Sequence, residues 1–238
     1  MKFFVCVFCA AVFAYSAGSG IFVSDSIQIN FGSFGSPSAV WHPKKIVRPQ
    51  LFVWFHGGMQ SAKCDKGYEA GAALVPFLEK AGKESAVLSV SACGDNHWLS
   101  QGPLGAVDRM LDSLEARWKL KIDTVSLVGV SDGGLGVVGY TLYGKRSVQK
   151  RLLVSTNLAA VADAKNLARD PKIRTGMWTF LQGGSDRLYP SDRTVPWMES
   201  FCSALGGKVC RIRFDERGEH DWSWWTLHRE AWIRDFLR

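Results

Sequence analysis

From residue 51 onward the chain alternates between short runs that are apolar almost throughout and longer stretches in which apolar residues return every three or four positions. The runs at residues 51–55, 86–90, 124–128, 151–155 and 177–181 predict strands buried on both faces, as in a parallel sheet covered by helices on each side. Residues 208–214 alternate more, as an outer strand does. Leu104, Val107, Leu111, Leu114 and Trp118 share one face of a predicted helix, and Pro103 falls in its first turn, where a missing N–H is harmless. Further helices are predicted over residues 68–80, 133–143, 192–205 and 224–237. Earlier in the chain, Ser26-Ile27-Gln28-Ile29-Asn30-Phe31 alternates polar and apolar residues and predicts one edge strand in a segment otherwise rich in Gly and Ser. The repeated strand–helix order predicts the α/β class, with an open, mostly parallel sheet in a single domain over residues 17–238. Ligands of such sheets bind at the carboxyl ends of the strands.

The first residues differ in kind. Lys2 is followed by an apolar run from Phe3 to about Tyr15, which falls short of the roughly 20 apolar residues that span a membrane. Ala14-Tyr15-Ser16 ends it with small residues two apart, so residues 1–16 read as a cleaved signal peptide and the remainder as an exported chain, periplasmic or extracellular, with no stable membrane span after cleavage. Cys6 and Cys9 leave with that segment. Cys64, Cys93, Cys202 and Cys210 remain, an even number that in an exported chain suggests two disulfides with three possible pairings. No C-x-x-C or H-x-x-x-H spacing supports a zinc site instead.

Overall, 47% hydrophobic and 21% charged residues describe a core-forming protein. Without residues 1–16 the chain keeps 28 basic and 22 acidic residues. The basic residues are scattered and lack the basic runs and aromatic interleaving of nucleic-acid-binding modules, so no nucleic-acid partner is expected.

The chemistry centres on Gly129-Val130-Ser131-Asp132-Gly133, which sits between the predicted strand 124–128 and the predicted helix 133–143. A serine in a sharp strand-to-helix turn needs small residues two positions away on each side, because side chains there meet the neighbouring elements. The helix N-terminus favours negative charge developing above it. This G-x-S-x-G pattern resembles the nucleophile elbow of the α/β-hydrolase family. Three further stretches strengthen the resemblance. His56-Gly57-Gly58-Met59 follows the first apolar run, Gln182-Gly183-Gly184-Ser185-Asp186 leads to Pro190 after the fifth, and Gly218-Glu219-His220-Asp221-Trp222 follows the last strand.

What the resemblance implies is a serine hydrolase whose nucleophile, acid and base are Ser131, Asp186 and His220, in that chain order. The N–H of Asp132, with one from Gly58 or Met59, would receive the tetrahedral oxyanion, and His56 would brace the loop. Asp192 is the alternative acid, although it looks better placed to cap the next helix. His228 falls inside the terminal helix. Trp98 and Trp222 are candidate walls of the substrate pocket, with plain packing the rival role for Trp98. Cys64 and Cys93 follow adjacent strands at the site end, which suggests the pairs Cys64–Cys93 and Cys202–Cys210. Neither a metal nor an organic cofactor is required by this chemistry. Only 54 residues separate Ser131 from Asp186, too few for a substantial cap domain, so the expected substrates are short-acyl or aromatic esters, polymer-linked ones included. A peptidase or acyltransferase with the same residues, and a non-catalytic binding protein on a hydrolase scaffold, are the alternatives.

Overall fold

The computed structural model describes residues 22–31, 34–82 and 84–238. Residues 1–16, expected to form a cleaved signal peptide, lie outside them. Eight strands form one sheet in the order β1-β2-β4-β3-β5-β6-β7-β8. Strands β1 (Phe22–Phe31) and β2 (Phe34–Pro43) form an antiparallel hairpin at one edge, and β2 also pairs antiparallel with β4 (Ser85–Val90). The other strands, β3 (Gln50–Phe55), β5 (Thr124–Val130), β6 (Ser147–Val154), β7 (Met177–Gly183) and β8 (Cys210–Asp215), run parallel to β4 and to one another.

Continuous apolar runs make sense in this arrangement because alternate side chains enter two separate cores. Val53, Phe55, Leu127, Leu153 and Phe180 face one core. It is closed by α3 (Gln101–Trp118), α4 (Gly133–Tyr143), the short α5 (Ala164–Leu167) and α6 (Ser191–Leu205). Phe52, Trp54, Val128, Leu152 and Leu181 face the other, under α2 (Val75–Ala81), α7 (Trp222–His228) and α8 (Glu230–Leu237). A one-turn helix α1 (Gly67–Ala70) and a 3₁₀ turn (Gly71–Leu74) precede α2.

Several predicted boundaries change. The helix expected over 68–80 is broken into three pieces, with Pro76 at the start of α2, where its missing N–H interrupts the helical hydrogen bonds behind it. The terminal helix divides at Arg229, whose backbone leaves the helical region at φ −136° and whose guanidinium pairs with Asp215 at the end of β8. Strand β2 was not expected, because Gly35, Ser36, Pro37 and Ser38 interrupt its period-two pattern. α5 was likewise not expected.

The junction of β5 with α4 positions the site. Ser131 lies between them at φ 55°, in the left-handed region that costs a non-glycine residue of order 1–3 kcal/mol. Its N–H donates to Val154 O at 2.9 Å and its carbonyl accepts from Gly134 N at 3.0 Å and Thr156 Oγ1 at 2.9 Å. The close passage of α4 over β3 requires glycine: a Cβ on Gly133 would lie 2.0 Å from Phe55 O, and one on Gly129 would lie 2.5 Å from Gly133 O. Both obstacles are backbone atoms and cannot rotate away. Gly133→Ala is therefore expected to destabilise the protein by about 1–3 kcal/mol, read as a lowered urea midpoint with an unchanged slope; an unshifted midpoint would show that α4 can lift off β3 freely.

Candidate active site

The loops after β3, β5, β7 and β8 converge above the carboxyl ends of the strands. Ser131 Oγ lies 2.9 Å from His220 Nε2, and His220 Nδ1 lies 3.0 and 2.9 Å from the two oxygens of Asp186. The three side chains thus form one hydrogen-bonded chain. Asp186 Oδ1 also accepts the N–H groups of Leu188 and Tyr189, each at 2.9 Å, and its side chain is fully buried. Burial alone would raise the Asp186 pKa. The bond to His220 and the Tyr189 and Leu188 amides outweigh it and hold the carboxyl below the usual aspartate range. The acid and base loops meet because both are stripped of side chains where they cross. A Cβ on Gly183 would stand 2.1 Å from Gly218 O, and Ser185 N donates to that same oxygen at 2.9 Å.

The loop after β3 is braced from below. His56 is buried, with Nδ1 2.7 Å from Gly57 O and Nε2 accepting the Ala92 N–H at 3.0 Å. These partners require the neutral ring protonated at Nδ1, and burial lowers its pKa accordingly. Gly57 lies directly over the serine, since a Cβ there would be 2.9 Å from Ser131 Cβ. Gly58 adopts φ +62°, and a Cβ on it would lie 2.7 Å from Lys66 Nζ. Among the expected oxyanion donors, Met59 N is 3.3 Å from Asp132 Oδ2. The other oxygen of Asp132 accepts from the Tyr189 hydroxyl at 2.6 Å.

Other expected residues lie elsewhere. Trp98 is not a pocket wall: its ring is fully buried, edge-on to Phe55, and its Nε1 donates to His56 O at 2.9 Å. It supports the loop from the core. Trp222 is half-buried and packs edge-on against Trp54 and Phe77 beneath α2. Asp192 occupies the first turn of α6, whose preceding cap residue is Pro190. His228 ends α7 against Trp224. Cys64–Cys93 and Cys202–Cys210 are bonded in the suggested pairs. The first ties the loop carrying Gly58, Met59 and Lys66 to the loop after β4.

Tyr189 and Lys66 were not singled out from the sequence. The position of Tyr189, three residues beyond Asp186, was the available signal. Among the described residues no group of three His, Cys, Asp or Glu side chains is placed to hold a metal, and no helix is long and apolar enough to cross a membrane. Two surface clefts, of about 370 and 390 Å³, lie away from Ser131. One is between α5 and α6 and the other is at the opposite ends of the strands.

No model of a known protein family matches the chain, and no curated protein sequence does. Solved structures do resemble it. A ferulic acid esterase superposes with a TM-score of 0.67 at 16% identity, over 90% of this chain and 96% of that one. Poly(aspartic acid) hydrolase-1 from Sphingomonas sp. KT-1 gives 0.64 at 13% identity, over 88% and 98%. A thermostable esterase gives 0.62 at 14% identity, over 92% of this chain but only 60% of that one. At such identities the likeness defines the fold, and the fold is that of the α/β-hydrolases.

The lowered pKa of Asp186 fixes the sign of a pH effect. A carboxyl depressed in the folded state contributes stability that is complete above the ordinary aspartate value near 4 and is lost as pH falls through the depressed value. The stability gap between the wild type and Asp186→Asn, measured by urea unfolding, is expected to narrow as pH drops below about 4. A gap constant through that range would contradict the hydrogen-bonded carboxylate.

Proposed function

We propose that this chain is an exported serine hydrolase that cleaves carboxylic esters through an acyl-serine intermediate. The observation that carries the reading is the continuous hydrogen-bonded chain from Ser131 through His220 to Asp186. A serine hydroxyl is a poor nucleophile near neutral pH and needs a base within hydrogen-bond reach. His220 Nε2 takes the proton as Ser131 Oγ attacks the ester carbonyl, then delivers it to the departing alcohol oxygen. Asp186 fixes the proton on Nδ1 and stabilises the imidazolium. The tetrahedral oxyanion is received by the Asp132 N–H and the one from Gly58, since the Met59 N–H is already donated to Asp132 Oδ2. Water, activated by the same histidine, then releases the acid and regenerates Ser131.

Two disulfides and the apolar leader support export. Ser131 is half-buried, and between it and Asp186 the chain forms α4, β6, α5, β7 and their loops. This favours an open cleft suited to short acyl groups on bulky or polymeric alcohols. Aromatic acyl groups lose the stacking partner that Trp98 would have offered, because that ring is buried. The likeness to a ferulic acid esterase keeps an aromatic ester in the substrate screen.

Ser131→Ala and His220→Ala are each expected to abolish labelling by a fluorophosphonate probe and to slow hydrolysis of an activated short-chain ester by roughly 10⁴- to 10⁶-fold. Labelling that persists in either folded variant would remove Ser131 or His220 from its assigned role.

A further inference from the structure

Tyr189 meets three residues of the site. Its backbone N–H donates to Asp186 at 2.9 Å, its ring meets the His220 ring edge-on at 5.1 Å, and its hydroxyl donates to Asp132 Oδ1 at 2.6 Å. Asp132 passes the connection on, because its second oxygen accepts the Met59 N–H at 3.3 Å. A continuous path therefore runs from the acid loop after β7, across the residue that follows the nucleophile, to the loop after β3. The two loops belong to strands separated in the sheet by β5 and β6.

The chemistry of the pair explains why it should matter. A carboxylate beside an oxyanion hole opposes the negative charge that develops there unless donors hold it and draw off its charge. Asp132 has two donors, one a neutral phenol in a short charge-assisted bond. Burial, followed by the bond to Asp132, pushes the Tyr189 pKa up to about 12. The hydroxyl therefore remains a donor throughout the neutral range. With its carboxylate oriented in this way, Asp132 fixes the Met59 amide and, through Tyr189, the distance between that amide and the Ser131–His220–Asp186 chain.

We infer that Tyr189 and Asp132 are a coupled positioning pair that holds the oxyanion loop in register with the nucleophile and base. The inference rests on the serine-hydrolase reading, and its consequence is specific. The pair acts on the rate of attack at bound substrate, not on binding. Tyr189→Phe keeps the ring against His220 and the amide on Asp186, and removes only the hydroxyl. Asp132→Asn keeps the size of the side chain while removing its charge.

The test is a double-mutant cycle on the full-length protein, following fluorophosphonate labelling at increasing probe concentration, with kcat and KM on p-nitrophenyl acetate alongside. Tyr189→Phe is expected to lower the limiting labelling rate and kcat by about tenfold or more, while the half-saturating probe concentration and KM stay within about twofold of wild type. The double variant is expected to be no slower than the slower single variant, because both substitutions break one connection. Independent, multiplying effects would overturn the coupling. A fall confined to KM would overturn the positioning role, and so would a rate loss matched by a lowered melting temperature that is restored on cooling to equal fold stability. Wild-type labelling with Tyr189→Phe unchanged would overturn this inference alone. Failure of the folded wild type to label at all would overturn the serine-hydrolase reading and this inference with it.

Discussion

Everything at the site depends on the backbone of one residue. Ser131 is held at φ 55° because the strand before it and the helix after it are both fixed: its N–H is bonded to β6 and α4 lies against the carbonyl of Phe55. The strain is offset by two well-packed cores that allow neither β5 nor α4 to move. With the serine lifted above the sheet at that angle, every other group has to come from a loop leaving the same edge. A parallel sheet supplies such loops, since all of its strands present their carboxyl ends together.

The supporting contacts show how much of the molecule serves that geometry. His56 hydrogen-bonds its own loop and the chain after β4, Trp98 supports His56 from the core, and the Cys64–Cys93 disulfide closes the outer end of the same loop. On the other side, Ser155 at the end of β6 also takes a positive φ, of 50°. It reaches Glu219 O at 3.4 Å and accepts from Trp225 Nε1 at 3.2 Å, so the strand beside the elbow also braces the histidine loop. These residues act by limiting motion, and their cost in conformational freedom falls on folding and not on each turnover.

The strands and the ordered motifs were legible because their patterns are local. A buried parallel strand is apolar at every position, a glycine-flanked serine marks a sharp turn, and Asp186 and His220 each follow a strand at short range. What escaped the sequence depends on partners far along the chain. From the sequence Trp98 could wall the substrate pocket or pack in the interior, and its destination was set by the carbonyl of His56 and the ring of Phe55. Strand β2 was hidden by Gly35, Ser36, Pro37 and Ser38, whose pairing with β1 overrides weak local preference. Tyr189 looks like a loop residue in one dimension. Its meaning comes from Asp132, 57 positions earlier.

The protonation states close the argument. Burial opposes the charge on Asp186, but its hydrogen bonds prevail and the carboxyl stays ionised well into acid. Burial keeps His56 neutral, as its two hydrogen bonds require. Burial and the Asp132 bond keep Tyr189 protonated. Each of these groups is pushed in the direction its structural task requires, by its own surroundings. None of the three is then free to exchange a proton near neutrality, and in the proposed reaction the Ser131 proton passes to the Nε2 of His220, 2.9 Å away. A site in which His56, Asp186 and Tyr189 are each held in one protonation state is suited to repeated proton transfer along one path. The geometry argues for catalysis more strongly than the serine motif does alone.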